Sequence, residues 1–199
     1  MDRETRTLSR PLEVRAAGTV KTIVGYAAVF NSPTNIGDSW VETIQPGAFS
    51  ETLASGQDVL ALYSHEIERL LGRRSNGTLR LVEDARGLAV EIDLPDTTDG
   101  RDVAVLVERG DLKGMSFGFC VTKQTWDETT APPTRTIAAV DLREVTVTAD
   151  PAYEDTEVGM QELERSRRAR RQRNFSAAAK RVGMKVSIDL RARGLVSKA

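Results

Sequence analysis

The chain has 199 residues, 40% of them hydrophobic and 29% charged, with a formal net charge of -1. That length suits one domain with an appendage, since a core of about 150 residues buries roughly 70% of its unfolded surface. A lone cysteine, Cys120, excludes an intramolecular disulfide, and the first residues hold no apolar run of a secretion signal. Nowhere do the roughly 20 consecutive apolar residues of a bilayer span occur, so a cytoplasmic protein without a membrane role is expected.

In chain order, Thr19 to Phe30 alternates with a period near two and is the first predicted strand. After Pro46-Gly47, Phe49 and Leu53 lie four apart on one face of a short predicted helix that Gly56 closes. Asp58 to Ser64 is a second strand. Thr78 to Val82 and Leu88 to Leu94 form a predicted hairpin through Asp84-Ala85-Arg86-Gly87, with Gly87 supplying a positive φ. Asp96 is the expected cap of a second helix, which carries Val103, Leu106 and Val107 at core spacing and ends at Gly110. Met115 to Thr122 and Thr136 to Thr148 complete the strands. Strands in succession with two inserted helices predict a mainly β (α+β) fold, an antiparallel barrel or sandwich flanked by helices.

The body is expected to end near Pro151-Ala152-Tyr153, so that residues 1–155 form the folded domain. A polar helix from about Thr156 to Arg173 then leads into the low-complexity run Ser176 to Ala179. Residues 161–199 hold 12 Lys or Arg against Glu162, Glu164 and Asp189, a net of +9, which leaves -10 for residues 1–160. An acidic body with a basic tail suggests an acidic partner for the tail; a solvated helix followed by disorder explains the same charges.

His65 is the only histidine. With Cys120 it cannot assemble a structural zinc site, and Asp96, Asp99 and Asp102 lack the alternation of a calcium loop and suit a helix start better. Gly110, Gly114 and Gly118 recur without the lysine and hydroxyl of a phosphate-binding loop, so neither a metal nor a cofactor is expected. His65 stands where an apolar strand meets a polar loop, and an imidazole so placed can take and return a proton at neutral pH. Ser64, on the opposite face of the same strand, suits it poorly. Ser116 suits it better: it lies among apolar neighbours, and Gly114 and Gly118 leave room for a substrate backbone. A strand serine satisfied by a nearby carbonyl is the alternative, and these residues alone do not separate the two.

Five segments in order carry a family resemblance: Gly25 to Asn31 (GYAAVFN); Glu42 to Phe49 (ETIQPGAF); Tyr63-Ser64-His65 with Leu70-Leu71-Gly72; Gly114 to Phe119 (GMSFGF); and Leu142 to Thr148 with Asp150 to Tyr153. Together they resemble the prohead maturation proteases of HK97-type tailed phages. The resemblance covers about residues 20 to 155 and leaves the tail out. It implies a fold related to the herpesvirus assemblins, a β-barrel surrounded by helices, and a serine peptidase with His65 as base and Ser116 as nucleophile. Assemblins add a second histidine that this chain lacks. Glu144, in the matching Leu-x-Glu-Val segment, is the candidate to orient His65, and a simple pairing with a surface arginine is the competing reading. Backbone amides or Arg143 are candidate oxyanion donors.

The resemblance further implies a homo-oligomer acting in the host cytoplasm, inside the assembling prohead. Its substrates would be the scaffold segment of the major capsid protein and the protease itself. The tail would hold the enzyme on acidic scaffold, with Ser176 to Lys180 as a feasible self-cleavage site. Two rivals remain at this level: a non-catalytic assembly protein, and a nucleic-acid binder using Arg165 to Arg173. The second is less favoured because the body has no recognisable nucleic-acid module.

Overall fold

The computed structural model describes residues 3–149, apart from Thr19 and Asp38, together with Arg167 and Arg168. The predicted boundary at 155, the tail helix and the run from Ser176 lie outside the described residues. The elements are β1 (Glu4–Ser9), β2 (Glu13–Ala17), β3 (Val20–Val29), β4 (Thr34–Ile36), β5 (Trp40–Ile44), α1 (Ser50–Ser55), β6 (Leu60–Tyr63), β7 (Glu66–Arg73), β8 (Leu79–Glu83), β9 (Gly87–Asp93), α2 (Thr98–Arg109), β10 (Gly114–Asp127) and β11 (Thr134–Thr148).

The strands form two sheets, not the closed antiparallel barrel expected. One runs β1-β10-β11-β5-β4, with β6 also on β11 and β7 on β6; the other runs β2-β3-β9-β8. The larger sheet is mixed because β11 takes two short parallel partners on one side, β5 beside Thr134 to Ile137 and β6 beside Glu144 to Val147. Between them α1 fills the gap. The Thr52 hydroxyl donates to Val140 O and accepts from Leu142 N, both at 3.0 Å, so β11 keeps its backbone groups satisfied where it has no strand partner on that side.

The core lies where the sheets face each other. Ile23, Leu88, Val90 and Ile92 meet Met115, Phe117, Phe119, Val145 and Val147, with Phe49, Val103 and Val107 contributed from beside or within the helices. Phe117 stacks on Phe119 with ring centroids 4.8 Å apart and meets Phe49 edge-on at 5.6 Å.

Local chemistry differs from expectation at two turns. Thr97, not Asp96, caps α2: its hydroxyl accepts from Gly100 N at 3.2 Å, while the Asp96 carboxylate takes the Arg101 guanidinium. In the β8–β9 hairpin Gly87 does not adopt a positive φ. The turn is built by Asp84, whose Oδ1 accepts from Arg86 N and Gly87 N at 2.7 and 2.9 Å. Glycine is needed there for close approach, because a Cβ would sit 2.0 Å from Ala28 O.

Candidate active site

β10 and β11 carry the site because their alternation sorts side chains onto two faces. Ser116 stands opposite Thr146 and Gly118 opposite Glu144, while Met115 and Phe117 pair with Val147 and Val145. The apolar set faces the core. Ser116, Gly118, Glu144 and Thr146 therefore share the other face, and both faces are buried along this stretch.

His65 reaches that face from a neighbouring hairpin. Tyr63 pairs with Glu66, so Ser64 and His65 are the two turn residues joining β6 to β7, and both are left-handed, with φ of 53° and 62°. A two-residue turn with positive φ at both centres fits the twist of a hairpin, but for side chains other than glycine it costs about 1–3 kcal/mol each. β11 holds the strained turn in place: Ser64 N donates to Val147 O and His65 N donates to Thr146 Oγ1, both at 3.1 Å. His65 is thus not the end of a strand, and the alternation argument against Ser64 does not apply, since both residues sit in the turn.

From this turn the imidazole Nδ1 lies 2.6 Å from Glu144 Oε1. Glu144 is 2% exposed and the imidazole 33%. The same carboxylate oxygen accepts from Arg3 Nη2 at 2.5 Å, whereas Glu144 Oε2 is buried without a partner among the described residues. Arg3, just ahead of β1, lays its guanidinium across Gly118, with Nε and Nη2 each 2.9 Å from where a Cβ would stand. The space over Gly118 read from the sequence as room for a substrate is occupied here by this side chain.

Ser116 is fully buried, and its Oγ has no hydrogen-bond partner among the described residues. The structure therefore brings His65 to Glu144 and puts Ser116 on the same face without linking it to His65. A cleft lined by Arg3, Leu60, Leu62, Ile67, His65 and Glu144 opens beside the pair. Arg143 also lines it, with its guanidinium tied to Asp141 at 2.5 Å. Sequence reasoning missed Arg3 and Thr146. The alternation Val145-Thr146-Val147-Thr148 could have placed Thr146 beside Ser116, but nothing local pointed from Arg3 to a residue 141 positions away.

A family model described as Caudovirus prohead serine protease matches residues 10–170. The chain belongs to this family. Among its relatives, the prohead protease of Enterobacteria phage HK97 is 35% identical over 134 residues, which cover 65% of this chain and 55% of that protein. The chain thus spans about half the length of that relative. Its fold resembles the capsid assembly protease gp21 of bacteriophage T4, with a TM-score of 0.52 at 10% identity over 75% of this chain and 98% of that one. His65, Ser116 and Glu144 all fall inside the family match; Arg3 lies outside it.

Proposed function

We propose that this chain is a serine endopeptidase that matures a phage prohead, cutting the scaffold segment of the major capsid protein and itself. The observation that carries the reading is the 2.6 Å contact between His65 Nδ1 and Glu144 Oε1 on the sheet face that also bears Ser116. A buried carboxylate on Nδ1 favours the tautomer whose lone pair is on Nε2 and stabilises the imidazolium that forms during acyl transfer. Diagonal neighbours across two strands stand about 7–8 Å apart, a span an imidazole bridges between the Glu144 and Ser116 side chains. Such hydrogen bonds are often long in the free enzyme and tighten with substrate bound.

Ser116 Oγ attacks the peptide carbonyl carbon as its proton passes to His65 Nε2. The tetrahedral intermediate collapses with cleavage of the C–N bond, and Nε2 returns the proton to the leaving amine. Water then attacks the ester, gives a proton to Nε2, and the acyl C–O bond to Ser116 breaks with the proton restored to Oγ. Throughout, Nδ1–H stays on Glu144. Arg143, at the edge of the cleft, is a candidate donor to the oxyanion.

Co-expression with the matching capsid protein, followed by mass spectrometry, tests this. Wild type is expected to yield trimmed capsid protein, and Ser116→Ala and His65→Ala to leave the precursor whole. A second reading, a non-catalytic assembly protein, is favoured by the burial of Ser116 and its missing bond to His65. On that reading Ser116→Ala leaves every product unchanged.

A further inference from the structure

Glu144 is an anion in a nearly dry place. At 2% exposure it can keep its charge only through what it touches, and a neutral imidazole offers one hydrogen bond and no charge. Its second oxygen has no partner among the described residues, so compensation falls on the one cation in contact with it, Arg3, at 2.5 Å. Arg3 is held there by shape as well as charge. The missing side chain of Gly118 leaves the slot its guanidinium fills, and Glu144 Cγ bounds the same slot 2.9 Å from the absent Cβ.

We propose that Arg3 is a positioning residue for the peptidase site: the counter-charge that keeps Glu144 a hydrogen-bond acceptor, and thereby keeps the proton of His65 on Nδ1. The inference rests on the proposed peptidase reading. Without the guanidinium, the buried carboxylate must gain a proton or a charged neighbour. If Glu144 Oε1 takes a proton from solvent, it donates to Nδ1, and the imidazole proton is carried on Nε2. If the imidazole takes it, both nitrogens are protonated. In either case the lone pair that Ser116 requires is lost from Nε2. Arg3 is half exposed, at 51%, so its removal leaves no cavity in the core and weakens the electrostatics more than the fold.

The lone histidine makes the test direct, because the imidazole ¹⁵N signals of the full chain have one possible source. At neutral pH wild type and Arg3→Lys are expected to show Nδ1 protonated and Nε2 bare. Arg3→Met and Arg3→Gln are expected to show Nε2 protonated, with kcat down by about a hundredfold to ten-thousandfold and KM within about twofold. Arg3→Gln keeps polar reach without charge and serves if Arg3→Met melts early. A bare Nε2 in both neutral variants overturns the inference, even if activity falls. Should wild type itself cut nothing, the peptidase reading fails, while the ¹⁵N pattern still decides whether Arg3 governs the proton on His65.

Discussion

Glu144→Gln removes a charge while nearly keeping a shape, and the surroundings of Oε1 decide what that does. Arg3 can only donate, and its Nη2 lies 2.5 Å from Oε1, so the NH₂ of the new amide is excluded from that position. The amide oxygen must stay toward Arg3 and His65, and the NH₂ must take the place of Oε2. The Nδ1–H···O bond and the imidazole tautomer therefore survive. What is lost is the charge-assisted part of the bond, about 1–1.5 kcal/mol from the difference between charged and neutral acceptors. At 1.36 kcal/mol per factor of ten, kcat should fall about tenfold, far less than the roughly 10⁴ that follows when an amide inverts the tautomer in a Ser-His-Asp triad. The double variant Arg3→Met/Glu144→Gln frees the amide to turn, and its loss should approach that larger figure. Single-turnover cleavage of saturating capsid precursor separates these cases. A Glu144→Gln enzyme within about threefold of wild type would refute an orienting role for Glu144, given the worth of a charged acceptor. A single variant as inactive as His65→Ala would refute the claim that Arg3 fixes the amide.

Two predictions concern stability. Gly87→Ala forces a Cβ to within 2.0 Å of Ala28 O and 2.9 Å of Ala28 C, so β9 must shift against β3. A cost of about 2–3 kcal/mol lowers Tm by roughly 4–12 °C in calorimetry, and an unchanged Tm would mean that the two backbones do not approach so closely. For pH, the hydrogen bond from Arg80 brings the Asp93 carboxyl down to about 2 from an ordinary 3.8. Because the folded value is the lower, this stabilisation is complete above the unfolded value and is lost as pH falls through about 2. Both side chains are partly exposed, which limits the effect to about 1 kcal/mol. In urea titrations between pH 4 and 2, Asp93→Asn should flatten the fall in midpoint; an unaltered slope would remove Asp93 from the acid response.

The strands that bury an alternating apolar face were legible: Thr19 to Phe30, Thr78 to Val82, Leu88 to Leu94, Met115 to Thr122 and Thr136 to Thr148 each overlap an observed strand. Those that were missed are edge or short strands, β1, β2, β4, β5 and β7, in which polar residues break up the apolar ones, as buried Glu42 does between Trp40 and Ile44 in β5, and leave too short an apolar period to read. The succession of strands left a barrel and a sandwich equally open, and the barrel alone was implied by the resemblance; the structure has two sheets and no closed barrel among the described residues. The hydrogen bonds of β11 with α1 are long-range events that no local pattern encodes. In the site, the contact of His65 with Glu144 was suggested by resemblance, yet its cause lies in a strained Ser64-His65 turn that looks, as sequence, like the end of a strand. Arg3 was invisible because its significance depends on Gly118 having no side chain and on β1 lying beside β10.

That position of β1 is set by charges buried on the opposite side of the sheet from the candidate site. Glu4 and Arg6 meet Glu42 of β5 and Arg135 of β11, with Arg135 Nη1 and Nη2 on Glu4 at 2.7 and 2.8 Å and Arg6 Nε on Glu42 at 2.7 Å. Two cations and two anions compensate one another, so the cluster adds little net stability over apolar residues of similar volume. Its effect is on register. A slip of β1 by one residue would turn Glu4 and Arg6 away from the core and leave Arg135 and Glu42 there with only their mutual contact at 3.0 Å, breaking the Arg135–Glu4 and Arg6–Glu42 pairs at a cost of about 3–5 kcal/mol for a broken buried pair. The register that avoids this places Thr5 opposite Gly118 and Thr7 opposite Ser116, and it brings Arg3 onto Glu144. An edge strand with almost no hydrophobic pattern is thus aligned by charges it buries on one face, and that alignment delivers the cation that the carboxylate on the other face requires.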